Sequence, residues 1–371
     1  MDFTPSMVKS ISLMPAMLAQ DRMTRSRSHT QGPVSNIYEV AKRAGVSPST
    51  VSRVLSQPNV VSIKTRLRVL KAVDVLRYIP NSTAKNLRTC RTGKLLVTVP
   101  DISNPFFSLI LQGIEDAAQR EDYAVLVGDT QHEDRREQRY ALMLNSKEAD
   151  GLIFLGHRLP EAAAALARAA APRCAPIVNG CEFNPRLGIP SVHIDNARAA
   201  SDAMHLLYDL GHEHIGVITG PLVSPLSRDR LRGASTTAKK RSVEELAVVD
   251  GDFSVESGAD AAQRLFAAPR PPTAIFCFND EMAMGVLDYA RQKRIRVPQD
   301  LSVVGFDDIR FTRYTEPALT TIAQPMREIG EGTVRLLLAI LHDDAITPES
   351  VTLPHTLIRR ASTAAPPPLA R

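Results

Sequence analysis

The 371-residue chain has no tryptophan and only 5% aromatic residues. Its four cysteines, Cys90, Cys174, Cys181 and Cys277, form no C-x-x-C pair. They are too sparse for a disulfide framework, and a reducing cytoplasm fits them. No apolar run approaches the roughly 18 residues needed to cross a bilayer, so an integral membrane protein is not expected. The segment "MDFTPSMVKSISLMPAMLAQ" carries Asp2 where a signal peptide is positively charged, and Pro15 interrupts its apolar stretch. Signatures of catalysis are missing too: there is no G-x-x-x-x-G-K-[ST], no complete G-x-G-x-x-G, no G-x-S-x-G and no H-E-x-x-H. His212 and His214 stand two apart with no cysteine or acidic cluster beside them, which reads as surface or loop histidines rather than a metal pair. No enzyme, cofactor or metal is expected.

Acidic residues are scarce only at one end. Residues 1–94 hold 16 Lys and Arg against 4 Asp and Glu, a net of +12, whereas the remainder holds 29 against 36, a net of −7. The basic end is a separate electrostatic object whose natural partner is a polyanion; a solvated basic tail is the bland alternative. With 44% hydrophobic and 23% charged residues, the chain has the make-up and length for two or three folded domains.

Residues 1–34 read as a flexible extension. From Asn36 the pattern is helical. Ile37, Val40, Ala41 and Ala44 form one apolar stripe ended by Gly45, Ser47 is a good N-cap, and Pro48 suits the first helical position. A third helix is predicted over about Ser62–Arg77, with Leu67, Leu70, Val73 and Leu76 inward and Lys64, Arg66, Arg68 and Lys71 outward; Pro80 stops it. Two short helices joined by a tight turn make a helix-turn-helix, whose second helix can enter a major groove about 12 Å wide. On that helix Val51, Val54 and Leu55 face the bundle, leaving Ser49, Thr50, Ser52 and Arg53 outside. Arginine can grip guanine in bidentate fashion, and small hydroxyls allow close approach. A three-helix bundle with an idle polar face is the competing reading.

After Lys94 short apolar runs alternate with helical patterns. "LLVTVP", "AVLVGD", "GLIFLG", "PIVNG", "HIGVITG", "TAIFCFND" and "LSVVGFDD" read as buried parallel strands, with helices such as Phe107–Glu121 between them. That is a doubly wound α/β architecture with strands enough for two sheets, a single sheet being the alternative. Asp307 and Asp308 end one strand, where open α/β sheets bind ligands with or without reaction. The tail "AAPPPLAR" reads as disordered.

The stretch "IYEVAKRAGVSPSTVSRVLSQPNVVSIKTRLRVLKAVDVLRYIPNSTAKNLR" resembles the headpiece of the LacI/GalR transcriptional repressors. The likeness continues through "VPDISNPFFSLILQGIE", "HIDN", "LGHEHIGVITGP", "RLRG", "GDFSVESG", "FNDEMAMGVL", "RVPQDLSVVGFDD" and "PALTTIAQP", and spans about residues 36–360. "VPDISNPFFS", "VLVGDTQHE" and "VHIDN" are most similar to the cytidine-repressor branch. The resemblance implies an all-α helix-turn-helix headpiece (35–80), a hinge helix and linker (81–93) and an effector-binding and dimerisation domain (94–360) ahead of a disordered tail (361–371). The body would be α/β and periplasmic-binding-protein-like: two doubly wound parallel-sheet subdomains, about 94–192 with 323–350, and about 193–322 with 351–360.

It further implies major-groove reading by Pro48, Ser49 and Arg53, phosphate contacts from Thr50 and Ser52, and DNA contacts by Tyr38, Ser47 and Asn81. Leu87 would wedge into the minor groove, flanked by Lys85 and Arg88. The implied effector residues are Asn104, Phe106, Phe107, Asp129, Arg230, Phe253, Asn279, Asp280 and Asp307, with Asp280 and Arg230 foremost. Phe106 and Phe107 can equally be core. Ser224 stands where a purine-binding relative has an arginine. A homodimer on a pseudo-palindromic double-stranded operator, a small sugar or nucleoside effector, no membrane partner, and a bacterial cytoplasmic, nucleoid-associated location follow as expectations. A sugar or nucleoside binding protein without a regulatory role is the alternative.

Overall fold

The computed structural model describes residues 36–78, 91–171, 174–241, 246–342 and 349–367. They fall into two units divided near residue 81.

The first unit is three helices, α1 (Ile37–Ala44), α2 (Pro48–Ser56) and α3 (Ile63–Leu76). Asn36 and Glu39 close a capping box on α1, and Gly45, at φ 63°, ends it in the left-handed conformation that glycine adopts without strain. Two residues on, Ser47 accepts the Thr50 amide, and Pro48 opens α2 where a missing N–H does no harm. Val40, Ala41, Ala44, Val51 and Val54 meet Val69 and Ala72 in one small core. The stripe of α3 is rotated from the expected one. Val69 and Ala72 are buried and Val73 and Leu76 pack beside them, while Leu67 is 60% and Leu70 45% exposed, and Arg66 is half-buried. Both stripes have helical spacing; the small Ala72 at the contact lets α3 approach its neighbours closely, which the bulkier leucines do not.

The second unit contains two six-stranded sheets among the described residues. The first has the order β11-β5-β4-β3-β1-β2, from β1 (Lys94–Val99), β2 (Ala124–Asp129), β3 (Gly151–Phe154), β4 (Ile177–Gly180), β5 (Ser191–Ile194) and β11 (Val351–Leu353). The second has the order β12-β10-β9-β8-β6-β7, from β6 (Ile215–Thr219), β7 (Ala247–Asp250), β8 (Ala274–Cys277), β9 (Ser302–Asp307), β10 (Thr320–Ala323) and β12 (Thr356–Ile358). Among the described residues only the β10–β12 pairing is antiparallel. All seven runs expected to be strands are strands, and β3, β4, β6, β8 and β9 are buried along their whole length, as strands covered on both faces must be. The sheets with their helices form two lobes.

The chain crosses between lobes three times: after β5, after β10 and between β11 and β12. The last crossing departs from expectation, because Val351–Leu353 pairs with β5 in the first sheet and only Thr356–Ile358 joins the second. Pro354 interrupts the strand there, and a residue without an N–H cannot continue a ladder. The tail departs as well. Ser362 is fully buried, exchanges backbone and side-chain bonds with Val303 and takes the Thr320 amide, and the Ala364 carbonyl accepts from His212. Residues 361–367 are therefore ordered: their polar groups complete the flank of the second sheet. His212 is correspondingly buried and structural rather than a surface histidine, held also by Thr273 and Ser302.

In each sheet the chain turns to opposite sides of its first strand, between β1 and β3 and between β6 and β8. These switch points open crevices at the carboxyl ends of the strands. The segments that follow β1, β6 and β8 carry Asn104, Ser224 and Asn279.

Candidate nucleic-acid interface and ligand cleft

In the first unit, α2 presents two faces. Val51 and Val54 are buried and Leu55 packs beside them. Ser49 and Arg53 are exposed on the opposite side, with Ser52 half-buried and Ser56 exposed in line with them. Positions 49, 52, 53 and 56 follow the i, i+3, i+4, i+7 spacing of one helix face. Ser56, whose hydroxyl donates to the Ser52 carbonyl, was not singled out in the sequence, although its spacing from Ser49 is sufficient to find it. The Ser47 hydroxyl is tied to Ser49 and Thr50 at 2.8 and 2.9 Å, so the start of the helix is held by a small hydroxyl cluster. Pro48 and Thr50 are half-buried, and Tyr38 on α1 is 71% exposed. Asn81, Lys85, Leu87 and Arg88 lie outside the described residues.

In the second unit, the candidate ligand residues form two local groups. Asn104 caps α4 (Pro105–Arg120) by accepting the Phe106 amide. Phe106 is core and Phe107 packs beside it edge-on, ring centroids 5.2 Å apart. Asp129, at the end of β2, accepts the Ile102 amide and the Gln131 side chain. This group lies at the switch point of the first lobe.

The group on the second lobe is tighter. Arg230, on α8 (Pro225–Lys240), is 3% exposed. Its Nε donates to Asn196 Oδ1 at 2.9 Å and its Nη1 to the Phe278 carbonyl. Its guanidinium carbon lies 3.6 Å from the centre of the Phe306 ring, and its Nη2 stands 4.0 Å from Asp307 Oδ1. Asp307 takes a 2.7 Å bond from Gln324 and sits at φ 115°, with Asp308 at φ 58°, two strained residues at the exit of β9. Burial outweighs the attraction between the partners: it raises the Asp307 carboxyl to about 7 and lowers the Arg230 guanidinium to about 10. Asn279 caps α10 (Asp280–Lys293) and donates to the Phe253 carbonyl at 2.8 Å. Phe253, at φ 77°, lays its ring over Gly220, where any Cβ would stand 2.0 Å from the ring.

Asp280 departs from expectation. It is fully buried, and both its oxygens are taken within the lobe, one by the Ile309 amide at 2.9 Å and one by Thr321 Oγ1 at 2.6 Å. Burial, then the neighbouring Asp307, pushes its carboxyl well above the usual range. The geometry gives Asp280 the work of tying α10 to β10 and to the segment after β9.

Four contributors were not picked out as site residues. Asn196 and Gln324 lie inside the quoted runs "HIDN" and "PALTTIAQP", and Phe306 lies inside "LSVVGFDD". The fourth, Glu182, follows β4. The chain leaves that strand through Cys181 at φ 71°, and Glu182 then meets Ser224 of the other lobe, whose hydroxyl lies 2.9 and 3.2 Å from its two oxygens. Burial lifts the Glu182 carboxyl to about 7 against the opposing pull of Ser224, the Leu226 amide, Arg230 and Arg228. Only the unusual placing of a glutamate directly after an apolar run signals it. Among the described residues there is no cluster that could hold a metal ion.

Residues 36–81 match the family model for bacterial regulatory proteins of the lacI family, and residues 204–363 match that of a periplasmic binding protein-like domain. The HTH-type transcriptional repressor CytR of Escherichia coli (strain K12) is 40% identical over 343 residues, covering 92% of this chain and 100% of that protein. The lac repressor dimer bound to operator and the anti-inducer ONPF superposes with a TM-score of 0.81 at 29% identity, over 89% of this chain and 99% of that one. A LacI-family regulator from Enterococcus faecium with bound ribose does so at 0.66 and 26% identity, over 73% and 99%.

Proposed function

The chain belongs to the lacI family of bacterial regulatory proteins, and from that premise we propose a dimeric transcriptional repressor whose grip on operator DNA is set by a nucleoside or pentose in the cleft of its body. The observation that carries this reading is the pairing of a basic helix-turn-helix, with a polar face on α2, and an α/β body whose switch points hold the Arg230–Asp307 cluster. The relative with bound ribose supports a small polyhydroxylated ligand. Arg230, Asp307, Asn279 and Phe253 suit such a ligand: a guanidinium, a carboxylate and an amide for hydroxyls, and a ring for stacking. Asn104, Phe106, Phe107 and Asp129 are the proposed contributors from the first lobe. On the DNA side, Ser49 and Arg53 read bases, Thr50 and Ser52 position the helix on phosphates, and Leu87 is the proposed minor-groove wedge, whose unstacking cost is offset by contacts on the bent duplex. A binding protein with no regulatory role has no use for the headpiece.

Fluorescence anisotropy on operator fragments tests the reading, with and without cytidine, uridine, adenosine and ribose. Arg53→Ala is expected to weaken specific binding by about 1–3 kcal/mol and to relax choice at one base pair. Equal loss on every sequence makes Arg53 a phosphate contact instead. Affinity should also fall steeply with salt, as counterions are released from each contacted phosphate. Failure to select any duplex above background sinks the proposal.

A further inference from the structure

A cavity of about 540 Å³ opens between the exit of β4 on the first lobe and α8 on the second. That volume lies within the roughly 300–1,000 Å³ of small-molecule sites. None of Arg230, Asp307, Asn279 and Phe253 lines it, so it is not the pocket proposed above for the effector. Its walls carry three guanidinium groups, Arg186, Arg228 and Arg232, and one carboxylate, Asp229. Three positive charges against one negative leave a surplus of two.

Each arginine is placed by its own local structure. Asn184 accepts the Arg186 amide and starts the single turn Pro185–Leu187 that carries Arg186 at the rim, and Gly188, at φ 61°, ends that turn. Arg228 is anchored through Nη1 by the carbonyls of Leu222 and Val223 at 2.8 and 2.7 Å, while its Nε and Nη2 have no acceptor among the described residues. Arg232 gives Nη1 to Asp229 at 2.7 Å. Among the described residues no carboxylate forms an ion pair with Arg186 or Arg228.

The neighbouring loops add to this charge rather than balance it. His157, which follows β3, is lowered to about 4 by burial and then by Arg158, His132 and Arg228, so the Arg228 guanidinium of the second lobe is felt by the basic loops of the first. Glu182, next to Phe183, is raised to about 7 by burial and takes the Ser224 hydroxyl on its oxygens, so it offsets the arginines only in part.

A cavity with this surplus suits a dianion. Guanidinium forks take phosphate oxygens in bidentate fashion, and such charge-assisted bonds are about twice as strong as neutral ones. Phe183 and Pro225 add an apolar wall, and the Phe183 ring is held by stacking on His193 with centroids 4.5 Å apart. We propose that this cavity is a second ligand site, taking a small phosphate monoester, a sugar phosphate or nucleoside monophosphate. Its phosphate is held by Arg186 from the first lobe and by Arg228 and Arg232 from the second, and its organic part lies on Phe183 and Pro225. The bound dianion ties the two lobes together.

Calorimetric titration of the full-length protein in a phosphate-free chloride buffer tests the site, with ribose 5-phosphate, cytidine 5′-monophosphate and adenosine 5′-monophosphate beside ribose, cytidine and adenosine. Wild type is expected to bind at least one ester about tenfold or more tightly than its neutral parent. The basic headpiece attracts phosphates as well, so two variants locate the binding. Arg186→Gln on the first lobe and Arg232→Gln on the second should each weaken that ester about tenfold. Affinity for the neutral parent should stay within about twofold, since the two pockets share no lining residue. Both arginines are exposed, and thermal unfolding shows that each variant is folded. An ester no tighter than its parent, or an affinity untouched by both variants, overturns the site. Inorganic phosphate, titrated alone, separates the anion from its carrier: binding as tight as the ester's overturns the assignment to a monoester. A neutral compound that still shifts operator binding in Arg186→Gln leaves the effector reading standing even where the second site fails.

Discussion

Arg230→Met is expected to abolish the response of operator binding to ligand and to destabilise the body by about 3–5 kcal/mol, the range for breaking a buried ion pair by removing one partner. Methionine retains much of the apolar stem over Phe306 but none of the donors, so Asn196 Oδ1 and the Phe278 carbonyl lose their partner and Asp307 loses its opposite charge. The loss should depend on pH. Burial places the Asp307 carboxyl at about 7, above its unfolded value of 3.8. A carboxyl raised in this way contributes stability that is fully present below the unfolded pKa and is lost as pH rises through the folded one. In wild type that decline runs from about 4 to about 7. Without Arg230 the folded value moves higher still, so the decline continues past neutrality and the difference between the proteins widens toward alkaline pH. Urea denaturation on either side of neutrality reads the effect. Equal midpoints together with a retained ligand response would remove Arg230 from both roles.

The second large effect concerns Asp280. Asp280→Ala is expected to cost about 2–4 kcal/mol, because the buried Ile309 amide and Thr321 hydroxyl lose their acceptor and a small void opens. Asp280→Asn should cost about 1 kcal/mol or less. Burial holds this carboxyl well above its usual range, and an amide can accept from Ile309 while donating to Thr321. The asparagine variant should keep its ligand response, measured by the same anisotropy assay. A stable Asp280→Asn protein that no longer responds would make Asp280 a ligand-binding group after all, which is the role its motif suggested.

The contrast between these two residues shows how far the motifs reach. The family likeness puts both foremost among the effector residues, and sequence alone ranks them together. In the folded chain Arg230 points into a cluster drawn from Asn196, Phe278, Phe306 and Asp307, whereas Asp280 closes on backbone and hydroxyl groups of its own lobe. Burial of a charged side chain does not reveal which partners bury it, and the partners come from segments far apart in the chain.

Much was legible before any coordinates. Capping by Ser47 and Gly45, the inward valines of α2 and the fully buried strands depend on neighbours within a few residues, and periodicity and cap chemistry report on that range. The family likeness added the order of the domains. What failed was long-range. The rotation of α3 lies in the packing of Val69 and Ala72 against α1 and α2, the place of Val351–Leu353 in its pairing with β5, and the order of residues 361–367 in bonds to Val303, Thr320 and His212. Glu182 belongs with these: its meaning lies in Ser224, 42 positions later in the chain, and two lobes must fold before the pair exists. The sequence by itself determined a basic helix-turn-helix and a parallel α/β body, because local hydrogen bonding and periodic burial are written residue by residue. The tertiary structure alone decided which charges share the cleft, because three crossings between lobes bring together groups that no local pattern connects.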